Sequence, residues 1–184
     1  AQGKELTGKE LMTCLVIGYE VATRAGIALH ATALDYHTSG AWNGIGVAAV
    51  TARLLKLDKT QTEEALGLAE FHGPRSQMMR CIDYPTMVKD GSGWGALAGI
   101  SSGLLAQANF TGAPAITLDS HTLSNSAEQA KTVDTIWHDL GERWYIREQY
   151  FKAYPVCRWA QPAVEAVRFI KAQQPLDYND ISSI

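Results

Sequence analysis

The chain has 184 residues, of which 46% are hydrophobic and 19% are charged. This apolar composition excludes global disorder, and the length allows one sizeable hydrophobic core. The formal net charge of −3, from 16 basic and 19 acidic residues, argues against a dedicated nucleic-acid binder.

The cysteines and the apolar segments indicate a reduced, cytoplasmic protein with no membrane partner. Cys14, Cys81 and Cys157 lie far apart without a CxxC pair, which is typical of intracellular thiols. No basic segment precedes an apolar stretch at the amino end, so we expect no signal peptide. The uncharged run 91–115 contains six glycines, and we interpret it as a buried helix with flanking loops.

The predicted elements are mostly helices. Thr7 and Glu10 form a capping box that starts the first helix, in which each side chain accepts from the backbone amide of the other residue. Asp58 and Gln61 form a second pair of this kind before the third helix. The predicted helices cover about 10–34, 40–57, 59–71, 93–109, 127–140 and 162 to just before 175.

Strand signals are few. The segment 144–154 is aromatic and partly alternating, so we expect it to be extended, and 180–184 resembles the start of a strand. A polar loop is expected over 75–91. Many helices with so little strand predict an all-α helical bundle rather than a βαβ array.

Two predicted helices carry stripes of small residues four positions apart, which places them on one face of each helix. Glycine inside a helix costs about 1 kcal/mol relative to alanine, and a close approach of two backbones would offset that cost. Dense helix packing is the first interpretation, and a substrate lying against the glycines is the alternative. The stripes are Gly40, Gly44, Ala48 and Ala52, and Gly95, Gly99 and Gly103.

One histidine and several cations lie near predicted helix starts. Such ends attract anions, so a cluster of these groups would suit a substrate with several carboxylates. The alternative for each Lys or Arg is a solvated surface charge. No two histidines have the spacing of a helical zinc site. The candidate residues are His37, Arg75, Arg80, Lys89, Lys152 and Arg158.

Three blocks of the sequence resemble the MmgE/PrpD family, which includes 2-methylcitrate dehydratase, cis-aconitate decarboxylase and iminodisuccinate epimerase. The first block, 36–58, begins Tyr-His-Thr-Ser-Gly and continues into a glycine-rich helix. The second, 87–112, begins Met-Val-Lys and ends Phe-Thr-Gly. The third, 151–158, reads Phe-Lys-Ala-Tyr-Pro-Val-Cys-Arg. The order and spacing of the blocks agree with the family over nearly the whole chain.

The resemblance implies a large helical domain and a smaller α+β lid, with the active site between them. Residues 1–176 would then be part of the helical domain, and 177–184 the beginning of the lid. Family chains are longer, so the resemblance implies an internal piece of such a protein. It also implies a homodimer or another homo-oligomer, and exposed apolar faces on an isolated piece would promote association.

By position, His37, Lys89 and Lys152 match the active-site histidine and lysines of the family. Arg75, Arg80 and Arg158 are weaker candidates for binding substrate carboxylates. The sequence also departs from the family pattern at three places. Thr38 replaces a usual proline, Gln161 replaces a common histidine, and the histidine that often follows the central lysine is absent.

The implied chemistry is proton transfer at a carbon next to a carboxylate of a small di- or tricarboxylate. His37 would be the general acid or base, and the lysines would stabilise an enolate-like state. This scheme requires no metal or other cofactor. A 2-methylcitrate dehydratase-like reaction is favoured, with decarboxylation and epimerisation open. The alternative is a non-catalytic helical fragment or scaffold that binds carboxylates or a partner chain without turnover.

Overall fold

The computed structural model describes residues 5–84, 86–119, 126–175 and 177–182, and these residues are predominantly helical. No β-sheet occurs among them, which confirms the predicted all-α class. The α-helices are α1 (Gly8–Thr32), α2 (Gly40–Leu55), α3 (Lys59–His72), α4 (Met79–Ile82), α5 (Ser92–Gln107), α6 (Ala127–Trp137) and α7 (Gln161–Gln173).

The chain forms two compact units. The first extends to Arg147 and contains α1 to α6, and the second begins at Glu148 and contains α7. Within the first unit, α2 packs against α1, α3 and α5, so it is the central helix. The predicted division at residue 176 is a different boundary and stays a prediction.

The helix starts follow the predicted caps, with one difference. At α3, the Asp58 carboxylate accepts from the Gln61 amide at 2.8 Å, and the Gln61 side chain accepts from the Asp58 amide. At α1, the Thr7 hydroxyl accepts from the Glu10 amide at 3.2 Å. The predicted return bond from Glu10 is wrong, because its carboxylate forms a bidentate ion pair with Arg53 of α2. This pair lowers the pKa of Glu10, since the guanidinium favours the charged carboxylate.

The segment predicted to be extended over 144–154 begins instead with a helical turn, so this prediction is wrong for its first residues. Residues Tyr145–Glu148 form a 3-10 helix, and the Ile146 amide within it donates to the buried Glu20 carboxylate at 2.7 Å. Another 3-10 helix, Tyr178–Asp180, ends at the first residue of the segment predicted to start a strand over 180–184. Residues 183 and 184 lie outside the described part, so that segment stays a prediction. The predicted polar loop contains the short helix α4.

The glycine stripes of α2 and α5 face each other. A Cβ atom added at Gly95 would lie 2.7 Å from the carbonyl oxygen of Gly40. One added at Gly99 would lie 2.7 Å from the Val47 Cβ and 2.9 Å from the Ala48 amide nitrogen, and closer still to the Gly44 carbonyl oxygen. Dense helix packing is therefore confirmed. A substrate on this glycine face is excluded, because the neighbouring helix occupies it.

Gly99→Ala is expected to destabilise the protein by about 1–3 kcal/mol, because the added methyl group would meet backbone atoms that cannot move aside. Gly93 is a matched control on the same helix, since a Cβ there would have no neighbour within 4 Å. Gly93→Ala is expected to be neutral or to stabilise by up to about 1 kcal/mol. Urea unfolding of both variants measures the difference, and equal midpoints would contradict the packing.

Helix α1 carries a buried ion pair that fixes the chain after α6. The side chains of Glu20 and Arg24 are almost fully buried and lie 3.4 Å apart. The Arg24 guanidinium also donates to the Asp139 carboxylate at 2.6 Å and to the carbonyl oxygens of Ile136 and Arg143. One buried cation therefore connects the first helix of the unit to its last helix and the following turns.

Among the described residues, α1 is the single helix long and apolar enough to cross a membrane by length and composition. Its contacts with α2 and α6 and its two buried charges, Glu20 and Arg24, are typical of a core helix.

Candidate active site

Backbone pairing holds the segment before α2 against the segment before α4. His37 lies opposite Gln77 in an isolated antiparallel bridge. In this bridge, the Thr38 amide donates to the Ser76 carbonyl at 2.8 Å, and the Met78 amide donates to the Tyr36 carbonyl at 2.9 Å. The segment before α2 is thereby fixed against the segment before α4, so His37 has a defined position despite lying in a loop.

The His37 ring has one engaged nitrogen and one without a partner. Its Nδ1 atom lies 2.7 Å from the Asp35 carbonyl oxygen, which can only accept a hydrogen bond, so Nδ1 carries a proton. The Nε2 atom is buried and has no hydrogen-bond partner among the described residues. Nε2 is therefore the atom at which this imidazole can take up or release a proton.

Two aromatic rings surround the His37 imidazole. His30 at the end of α1 stacks on it, with ring centroids 5.0 Å apart and an angle of 13° between the planes. Trp42 of α2 meets it edge-on at 5.7 Å. Partial desolvation by the rings packed against it lowers the pKa of His30, and the neighbouring His37 lowers this pKa further. A charged His30 is thus disfavoured beside His37.

A cavity of about 270 Å³ lies between the start of α2, helix α4 and the start of α5. It is lined by two cations, Arg80 and Lys89, and by apolar groups that include Trp94. Arg80 is oriented by a hydrogen bond of 3.2 Å from its guanidinium to the Ser76 hydroxyl. Thr38, the residue after His37, also lines the cavity. The structure therefore brings two predicted cations together beside the histidine segment.

Asp90 connects the Lys89 segment to the His37 segment. Its carboxylate accepts from the Ser39 amide and from the Ser39 hydroxyl, both at 2.7 Å. The Ser39 hydroxyl is also 2.7 Å from the Ser92 hydroxyl. Because Ser39 follows Thr38 and Asp90 follows Lys89, this network fixes the two candidate segments relative to each other.

Arg75 lies in a different surrounding. Its guanidinium forms an ion pair with the Asp35 carboxylate at 3.2 Å. It lines a separate cavity of about 330 Å³ that also includes Glu70 and Phe71. The structure therefore does not place Arg75 with Arg80 and Lys89 on one cavity wall.

Lys152 and Arg158 belong to the second unit, where both side chains are exposed. Gln161 at the start of α7 donates to the carbonyl oxygens of Tyr154 and Val156, at 3.0 and 3.3 Å. This glutamine thus holds the Tyr-Pro turn between the two cations. The Tyr154 hydroxyl donates to Glu165, and this hydrogen bond raises the pKa of Tyr154.

The described residues contain no group of three or more His, Cys, Asp or Glu side chains that could hold a metal ion.

Residues 1–134 match the model of the MmgE/PrpD N-terminal domain. The chain belongs to the MmgE/PrpD family. Cis-aconitate decarboxylase of Aspergillus terreus is 25% identical to it over 185 residues, which cover 95% of this chain and 37% of the relative. The cis-aconitate decarboxylase of Aspergillus terreus strain NIH 2624 / FGSC A1156 matches to the same extent. The chain thus spans little more than a third of the length of the curated relatives that it matches.

The family blocks identify the histidine and the central lysine but not the groups that hold them. His30 lies outside the blocks and has no spacing signal, since the α1 helix ends between it and His37. Asp90 lies inside a block, yet its partner Ser39 is 51 positions away, and only the packing of α2 on α5 brings them together. A charged residue next to a helix start was the one available signal for Asp90.

Proposed function

We propose that this MmgE/PrpD protein is a lyase or isomerase that transfers a proton at a carbon next to a carboxylate of a small di- or tricarboxylate. The observation that carries this proposal is the geometry of the His37 imidazole. Its Nδ1–H donates to the backbone carbonyl of Asp35, and its buried Nε2 has no hydrogen-bond partner among the described residues. Such a ring can act as a base through Nε2 and return the proton later.

The two cations on the neighbouring cavity supply the electrostatic part of the mechanism. Loss of a proton next to a carboxylate moves negative charge onto the carboxylate oxygens. Lys89 and Arg80 line the cavity and can hold such oxygens, with the planar Arg80 suited to bidentate contact. Lys152 and Arg158 are proposed as further carboxylate-binding groups, and Arg75 as a weaker one.

The family and the curated relatives support a carboxylate substrate, and two reactions are the first to test. Dehydration of 2-methylcitrate is predicted from the sequence blocks. Decarboxylation of cis-aconitate is the activity in the names of the relatives. Both reactions develop charge beside a carboxylate, so the same residues serve either one. A cytoplasmic homo-oligomer is part of the same proposal.

Lys89→Ala is expected to lower kcat/KM for the substrate about 10- to 100-fold, because a charge-assisted hydrogen bond contributes roughly 1.5–3 kcal/mol. Lys59→Ala is the matched control, since the Lys59 side chain is 90% exposed and pairs with Glu63 within α3. Arg80→Lys should weaken binding as well, because lysine cannot form the bidentate contact.

The assay follows product formation from 2-methylcitrate, citrate, cis-aconitate and aspartate-like dicarboxylates by NMR. Turnover of one of them, with a lowered kcat/KM in Lys89→Ala and a normal kcat/KM in Lys59→Ala, supports the proposal. No turnover by the folded protein with any of these compounds would favour the non-catalytic scaffold.

A further inference from the structure

We propose that His30 is a positioning residue for His37: the two stacked imidazoles hold at most one positive charge, so His30 sets the pH range in which His37 is a neutral base. The charge coupling stands on the ring geometry. Its consequence for catalysis rests on the proposed function of His37.

The two imidazole rings stack directly on each other, so no other group lies between them to weaken the repulsion of their charges. Their centroids are 5.0 Å apart with nearly parallel planes, and the Trp42 ring contacts both, at 4.9 Å from His30 and 5.7 Å from His37. His37 is completely buried, whereas His30 is exposed at the end of α1. Two imidazolium rings at this separation would repel each other, and burial of one of them strengthens the repulsion.

The other charged groups around the pair compensate one another. The segment before α2 supplies the Asp35 carboxylate, and the segment before α4 supplies Arg75, which pairs with it at 3.2 Å. The Tyr36 ring lies 6.1 Å from His30, and α2 supplies the uncharged Trp42. The two imidazoles are therefore the side chains of this cluster that belong to the residue type whose ordinary pKa lies between pH 5 and 8.

The lowered pKa of His30, caused first by partial desolvation against the neighbouring rings and then by His37, agrees with this coupling. The pKa of the exposed His30 is therefore sensitive to the charge on the buried His37. Protonation of His30 from solvent would oppose protonation of His37, although His37 itself has no exposed surface.

The test is a pH titration of the imidazole Cε1–H signals by NMR on the full 184-residue chain. In His37→Gln, the midpoint of His30 should rise by about half a pH unit or more, because a neighbouring charge is removed. In His30→Phe, which keeps a stacked ring without its charge, the midpoint of His37 should rise in the same way. His72→Gln is the control and should move neither midpoint, because the His72 ring contacts Phe71 rather than His30 or His37.

Midpoints that stay unchanged in both variants would overturn the coupling. If burial makes His37→Gln fail to fold, His30→Phe still decides, since it changes an exposed side chain.

The pH profile of kcat then separates the coupling from the proposed function. With His37 as the base, His30→Phe should move the acid limb of this profile to higher pH. Midpoints that move while the limb stays fixed would leave the coupling intact and refute His37 as the proton carrier.

Discussion

His37→Gln is expected to reduce kcat about 10²- to 10⁴-fold, the usual contribution of a general acid or base. Glutamine can keep a hydrogen bond near the Asp35 carbonyl, but it has no group that titrates near neutral pH. The KM should change much less, because Lys89 and Arg80 rather than the histidine would hold the substrate carboxylates. The effect therefore falls on the chemical step rather than on binding.

The measurement is steady-state kinetics with whichever carboxylate the protein turns over, after circular dichroism shows that the variant is folded. His72→Gln is the control, because this histidine lies at the end of α3 and its ring contacts Phe71 rather than the His37 cluster. Normal kcat in a folded His37→Gln protein would remove His37 from the mechanism.

Arg24→Ala is expected to lower the free energy of unfolding by about 3–5 kcal/mol, the cost of removing one partner of a buried ion pair. Arg24 is completely buried, and its loss would leave the Glu20 carboxylate without its cation. It would also release the carbonyl oxygens of Ile136 and Arg143 and the Asp139 carboxylate. Chemical denaturation with guanidinium chloride measures the change.

Two comparisons make the Arg24 result specific. Arg53→Ala breaks the exposed pair with Glu10 and should change stability little. A Glu20→Leu/Arg24→Leu double variant should be less destabilised than the sum of the single changes, because no unpaired buried charge remains. Additive losses in the double variant would contradict the buried pair.

The contribution of Arg24 to the free energy of unfolding should also depend on pH. Arg24 lowers the pKa of Asp139 in the folded protein, chiefly through their hydrogen bond. A carboxylate with a depressed folded pKa stabilises the protein above its unfolded pKa of about 4, and this stabilisation is lost as the pH falls. The gap in stability between wild type and Arg24→Ala should therefore narrow below about pH 4. A gap that widens in acid would contradict this linkage.

The sequence predicted the helices well because their ends carry local signals. Asp58 and Gln61 satisfy each other within one turn, so their pairing needs no tertiary information. Glu10 shows the limit, since a nearby arginine on another helix outcompeted its local partner. The segment around Ile146 was predicted to be extended from its aromatic pattern, but its amide partner is a buried glutamate 126 positions earlier. Such distant partners leave no periodic signal.

The candidate site likewise contains some residues that the sequence predicts and others that only the structure reveals. The family blocks pointed to His37 and Lys89, and the stripes of small residues predicted dense helix packing. That α2 and α5 are the two helices that meet closely is seen only in the structure. The stacking of His30 and the bridging role of Asp90 depend on the path of the loops between helices. No residue spacing encodes these paths, so these two residues emerge only from the structure.

Proton NMR in D2O tests the central proposal most directly. The protein is incubated with cis-aconitate and with 2-methylcitrate, and the signals next to the carboxylates are followed over time. If His37 transfers a proton at that carbon, deuterium should enter the substrate or product, and this incorporation should disappear in a folded His37→Gln variant. Deuterium incorporation at the same rate in wild type and His37→Gln would contradict it.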